Sequence, residues 1–148
     1  MDQQVEIWKL FRQTQEKYVY FILSLSVAAV AFAVASTNRT AFQWPHIMLG
    51  LAVFSWLISI YFGFRWSKWN ISTLFANFDL LRVQSGKQPS DMQIPPGYEG
   101  AAIEGIRKAM RSNVEDLKKS FNKQGITFYV GIFFFIAWHL CEMYSATN

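Results

Sequence analysis

Polar and apolar positions along this chain sort into three long apolar windows and one mixed stretch. Residues 18–36, 47–64 and 125–141 contain no Asp, Glu, Lys or Arg. Each approaches the roughly 20 residues that a helix needs to cross the hydrocarbon core of a bilayer. The stretch before the third window mixes charged and apolar residues, and from Gly100 onward it passes into that window without a proline or a turn signal. Ile103, Ile106, Met110, Val114, Leu117, Phe121, Phe128, Ile132 and Phe135 keep helical spacing through the change in polarity, which predicts one helix whose apolar face runs from water into lipid. The expected fold class is all-α. It is an integral membrane protein with three transmembrane helices and a cytoplasmic antiparallel helical hairpin between spans two and three.

Breakers and polarity divide the chain further. Residues 1–17 read as an interfacial amphipathic helix, with Val5, Trp8 and Phe11 on one side and Ile7 and Leu10 widening the apolar face. Residues 18–64 form a transmembrane hairpin. Residues 65–123 form the cytoplasmic hairpin, its turn at 85–97 holding three of the four prolines and two glycines. Residues 124–144 form the third transmembrane helix. Ala33-Val34-Ala35 offers a signal-peptide cleavage pattern, but the apolar run is longer than a signal core, so an uncleaved span is expected. Beyond Phe64, Trp69, Leu74, Phe78 and Leu81 continue a helical pattern out of the second span.

Within the spans, small residues fall on stripes. Ser26, Ala29, Ala33 and Ser36 line one face of the first span, and Ala52, Ser55, Ser59 and Gly63 line one face of the second. Small residues let helix backbones approach closely, which is how helices pack in lipid, so both stripes are expected to be helix-packing or oligomer interfaces. The third span is bulkier, with Phe128, Tyr129, Phe133, Phe134, Phe135 and Trp138. Much of its aromatic surface is expected to face lipid or a partner.

Charge changes the picture by giving it an orientation. Of 14 Lys and Arg, Lys9, Arg12 and Lys17 precede the first span, Arg39 alone lies between the first and second, and the other ten fall from Arg65 to Lys123. The positive-inside rule puts the N-terminus and the long segment in the cytoplasm and the C-terminus outside, with a bacterial inner membrane the expected location. The net charge of +4 then reports topology rather than nucleic acid. Arg107, Lys108, Arg111, Lys118, Lys119 and Lys123 are candidates for contact with anionic lipid or another anionic ligand.

The chemistry on offer is sparse. No GxSxG, HExxH, P-loop or Rossmann pattern occurs, so a non-enzymatic protein without a cofactor is expected. No charge lies inside a span, which argues against a proton relay or an ion-coupled transporter. Cys141, the one cysteine, permits no internal disulfide. His46 and His139 fall at the same outer depth, and His139, 36 residues after Ile103, is expected to point toward the bundle. They could hold a haem or metal, or serve as interface residues bonded to Glu142, water or backbone.

Three functions fit these features: a homo-oligomeric pore, channel-like or effector protein in the membrane; an accessory or assembly subunit of a larger membrane complex; and a small haem or metal protein. The partners implied are lipids, further copies of the chain or other membrane subunits. In layout, the amphipathic N-terminus followed by two spans and a charged helical region resembles the two-span SLATT effectors of bacterial defence systems. That likeness covers the first two thirds of the chain in order of elements and implies membrane effector activity.

Overall fold

The computed structural model describes residues 2–37, 44–90 and 93–147. Three helices account for nearly all of them: α1 (Asp2–Thr37), α2 (Pro45–Gln84) and α3 (Glu99–Thr147). Each is long and apolar enough to cross a membrane. At 36, 40 and 49 residues they measure about 54, 60 and 74 Å, well beyond the roughly 30 Å of hydrocarbon.

The helices begin and end where local chemistry dictates. Pro45 opens α2 at a position where its missing N–H costs nothing, and Ile47 N–H donates to Trp44 O at 3.1 Å. Gly86, with φ of 74°, closes α2. Its N–H donates to Val83 O at 3.0 Å and that of Lys87 to Arg82 O at 2.9 Å, the paired bonds of a left-handed helix cap. Pro95 and Pro96 precede the start of α3, where Gly97 takes φ of 88°. Residues 2–17 and 18–36 share one uninterrupted α1, with no backbone break at the end of the expected amphipathic segment. The side chains of Val5 and Trp8, and the loop at 38–43, lie outside the described residues.

The chain forms two compact units, one of Met1–Gly63 with Phe121–Asn148 and one of Phe64–Ser120. The core of the first contains Ile22 and Ala33 from α1, Leu49, Ala52 and Trp56 from α2, and Phe128 and Trp138 from α3. Tyr18, Val30, Ile132 and Phe135 pack around it. Aromatic rings fill the space between α2 and α3: Trp56 and Phe135 lie 5.7 Å apart and Phe135 and Trp138 5.4 Å, both tilted.

In the second unit, the 64–84 part of α2 meets the 99–120 part of α3. Arg65 pairs with Asp116 at 3.6 Å. Asn113 Nδ2 donates to Ser72 Oγ at 3.0 Å. Position increases along one helix as it decreases along the other, the register of an antiparallel pair. The connection is tied down rather than loose. Gln88 uses both ends of its amide on Ile94, accepting from its N–H at 2.7 Å and donating to its carbonyl at 3.2 Å. Asp79 Oδ1 accepts from both Ser90 N–H and Ser90 Oγ at 3.0 Å, and Arg82 Nε donates to Gln88 O at 2.8 Å.

The inward faces differ from the apolar stripes expected. On α3 the buried line is Asn113, Ser120, Gln124, Phe128, Gly131 and Trp138, whereas Val114 is exposed and Ile103, Ile106, Met110 and Leu117 are half-buried. This face is turned on the order of 50° from the expected stripe. On α2 beyond Phe64 the buried residues are Trp66, Thr73 and Val83, while Leu74, Phe78 and Leu81 point outward. The inward line of α3 thus mixes the short polar Asn113 and Ser120 and the small Gly131, which allow close approach, with the aromatic Phe128 and Trp138.

Candidate functional site

The small-residue stripes are where the three helices of the first unit come together. Ser26, Ala33, Ala52, Ser55, Ser59 and Gly63 are buried. Ala29 is half-buried against the core, and Ser36 is exposed, its hydroxyl turned back to Phe32 O at 2.9 Å. The faces expected to be interfaces are thus largely occupied within the chain.

At the centre stands Gln124, which is fully buried and joins all three helices. Its side-chain Nε2 donates to Val19 O on α1 at 3.1 Å, and its backbone carbonyl accepts from Ser59 Oγ on α2 at 3.0 Å. Ser26 commits its one proton to Ile22 O at 2.8 Å. The 3.4 Å between Ser26 Oγ and Ser59 Oγ is therefore packing rather than a further bond, because both protons are already used. Gln124 Oε1 is buried without a hydrogen-bond partner.

Glycines make room for this arrangement. A Cβ on Gly63 would lie 2.8 Å from Gln124 Nε2 and 2.9 Å from Leu23 Cδ1, closer than real contacts allow. A Cβ on Gly131 would collide with the indole of Trp56. Gly63 was legible as a small-residue position. Gln124 was not, because a glutamine at the edge of an apolar window looks like an interface residue; the small residues lying opposite it were the available signal.

The candidate basic residues Arg107, Lys108, Arg111, Lys118, Lys119 and Lys123 are all exposed on α3. Lys123 Nζ lies 5.3 Å from the centre of the Phe62 ring, a cation over an aromatic face. The other five lie in the second unit and spread over a broad solvent face.

The histidines are arranged differently from expectation. His139 is exposed, and its neighbour Trp138 takes the inward position beside Phe135. The turned face of α3 accounts for the change. His46 is half-buried near the start of α2. Among the described residues, no group of three or more His, Cys, Asp or Glu side chains is arranged to hold a metal. Cys141 is exposed and forms no disulfide within the chain.

No protein-family model, curated protein or solved structure matches the chain.

Proposed function

We propose that this chain is a non-enzymatic integral membrane protein that acts by helix association, as a homo-oligomeric pore or membrane effector. In this reading the apolar parts of α1, α2 and α3 cross the bilayer, and the paired 65–123 segment stands in the cytoplasm. The lysine and arginine bias supports that orientation in a bacterial inner membrane. Lys118, Lys119 and Lys123 then lie where anionic headgroups meet the protein. The core of the first unit is filled by Trp56, Phe128 and Trp138, so a conducting path would run between copies rather than through one.

One observation carries the association reading. Ile71, Leu74, Phe75, Phe78 and Leu81 are each at least about half exposed on a part of α2 that also bears Lys68, Asp79 and Arg82. In water, a contiguous apolar row of this kind marks a surface that another molecule covers.

The second reading, an accessory subunit, is favoured by α3, whose Ile126, Tyr129, Phe133, Ile136 and Leu140 form an outward apolar row within its span. Native mass spectrometry of the protein released from its own membrane with its lipids tests the two. A closed set of identical copies is the expected result, with conductance in planar bilayers as the following measurement. Single copies bound to other polypeptides would replace the effector reading with the accessory one.

A further inference from the structure

Along the outer side of α2, Ile71, Leu74, Phe78 and Leu81 alternate spacings of three and four residues. This is the repeat of a coiled-coil seam, with Ile71 and Phe78 in one column and Leu74 and Leu81 in the other. Each is about half exposed or more, and Phe75, at 64 %, widens the row on one side. The first column continues upstream on the same helix to Phe64, exposed seven residues before Ile71. Inward positions on this stretch are taken by Trp66, Thr73 and Val83, so the row is a separate face.

We propose that this row is a parallel self-association seam, in which α2 of one copy packs against α2 of a second copy of this chain. The proposal rests on the membrane reading above and names the surface through which copies meet. Three features favour a second copy over another polypeptide. First, two copies inserted with the same orientation present their α2 helices parallel and in register, so each seam residue meets itself across a two-fold axis. Second, the five side chains expose on the order of 500 Å². Complete burial of two such rows removes about 1,000 Å², the size at which specific interfaces begin.

Third, the flanks do not repel. In a parallel pair Asn77 of one copy lies opposite Arg82 of the other, a neutral amide beside a guanidinium. Asp79 is turned to Ser90, and Arg82 lies over the ring of Phe78, 5.6 Å from its centre, closing the far end of the row.

Same-residue disulfide formation tests the seam in native membranes. In a Cys141→Ser background, single cysteines are placed at Ile71, Leu74, Phe78 and Leu81, with Asn77→Cys and Gln84→Cys as flanking exposed controls. Facing seam positions bring Cα atoms within about 4.4–6.8 Å, the range a disulfide spans. The expected result is dimer bands at the four seam positions at least about tenfold above the controls, since only facing positions come within disulfide range.

Equal cross-linking at seam and control positions would overturn the proposal. So would the absence of cross-links with cysteines shielded from maleimide, which would place another polypeptide on the row. Freely labelled cysteines without cross-links would show the row uncovered and would also overturn it. A Leu74→Lys, Phe78→Lys variant separates this outcome from the broader reading. Its oligomer should fall apart in native mass spectrometry, and an unchanged oligomer would leave homo-oligomerisation standing while removing the seam.

Discussion

The two compact units solve the same packing problem, and the proposed topology sets them against different surroundings. Both put polar side chains inside: Ser26, Ser59 and Gln124 in the first, Thr73, Asn113 and Ser120 in the second. Both also put large apolar side chains outside. In lipid that outward face is at no disadvantage, because acyl chains are as apolar as leucine. On the proposed cytoplasmic side the same arrangement at Ile71, Phe75 and Phe78 carries the transfer cost of about 25 cal/mol per Å². On that proposed topology, identical packing logic yields a finished surface in one unit and an unfinished one in the other. Buried serines and the single buried glutamine mark where helices touch, and the solvent decides what the remaining surface means.

Substitutions can sharpen this contrast, beginning with the largest expected effect. Gly131→Val should destabilise the first unit by about 3 kcal/mol, because the Trp56 ring blocks the added atoms and a buried indole has little room to move. Denaturant titration in mixed micelles measures it, and a loss below about 1 kcal/mol would show that the helices are not held this closely.

Gln124→Ala should cost about 2 kcal/mol through a cavity and the lost bond to Val19 O. Gln124→Leu should cost less than about 1 kcal/mol, since it removes the unpartnered Oε1 together with the donor. Equal losses in the two variants would mean that the amide, rather than its volume, holds the helices.

In the second unit, Gly105 sits mid-helix with open space around it. Gly105→Ala should stabilise that unit by about 0.5–1 kcal/mol by restricting the unfolded chain, read as slower amide hydrogen exchange across 99–120. Faster exchange would indicate that something occupies the space. The smallest effect belongs to Arg65 and Asp116, whose side chains are 41 % and 26 % exposed. A double-mutant cycle to alanine should return about 0.5 kcal/mol and shrink with added salt, the behaviour of a solvent-screened pair. A salt-independent coupling above about 2 kcal/mol would place the pair in a drier setting than its exposure implies.

The breaks between helices, the unbroken run of α3 and the small-residue positions were legible in the sequence because they depend on local signals, whereas the fusion of residues 2–17 with the first span into one α1 was not. Uncharged windows set the apolar stretches, and Gly86, Pro95 and Pro96 set the ends. Facing was not legible. Hydrophobic periodicity on α3 pointed to Val114, which is outside, and to Ile103, Ile106, Met110 and Leu117, which are half-buried. Gln124 and Asn113 lie on the inward line because each bonds across it, Gln124 to Val19 O and Asn113 to Ser72. The same turn of α3 put Trp138 inside and His139 outside, against the expected direction of the histidine. The tied connection was half legible: prolines marked a turn, but the amide of Gln88 embracing Ile94 depends on a pairing six residues apart that no spacing rule announces.

That connection has a consequence for how the chain folds. Gln88 with Ile94 and Asp79 with Ser90 join residues six and eleven positions apart, whereas Ser72 with Asn113 closes a separation of 41. The two local contacts form quickly and shorten the loop that the third must close. The turn therefore closes before the helices are aligned along their length, so the pair zips from its closed end toward its open one.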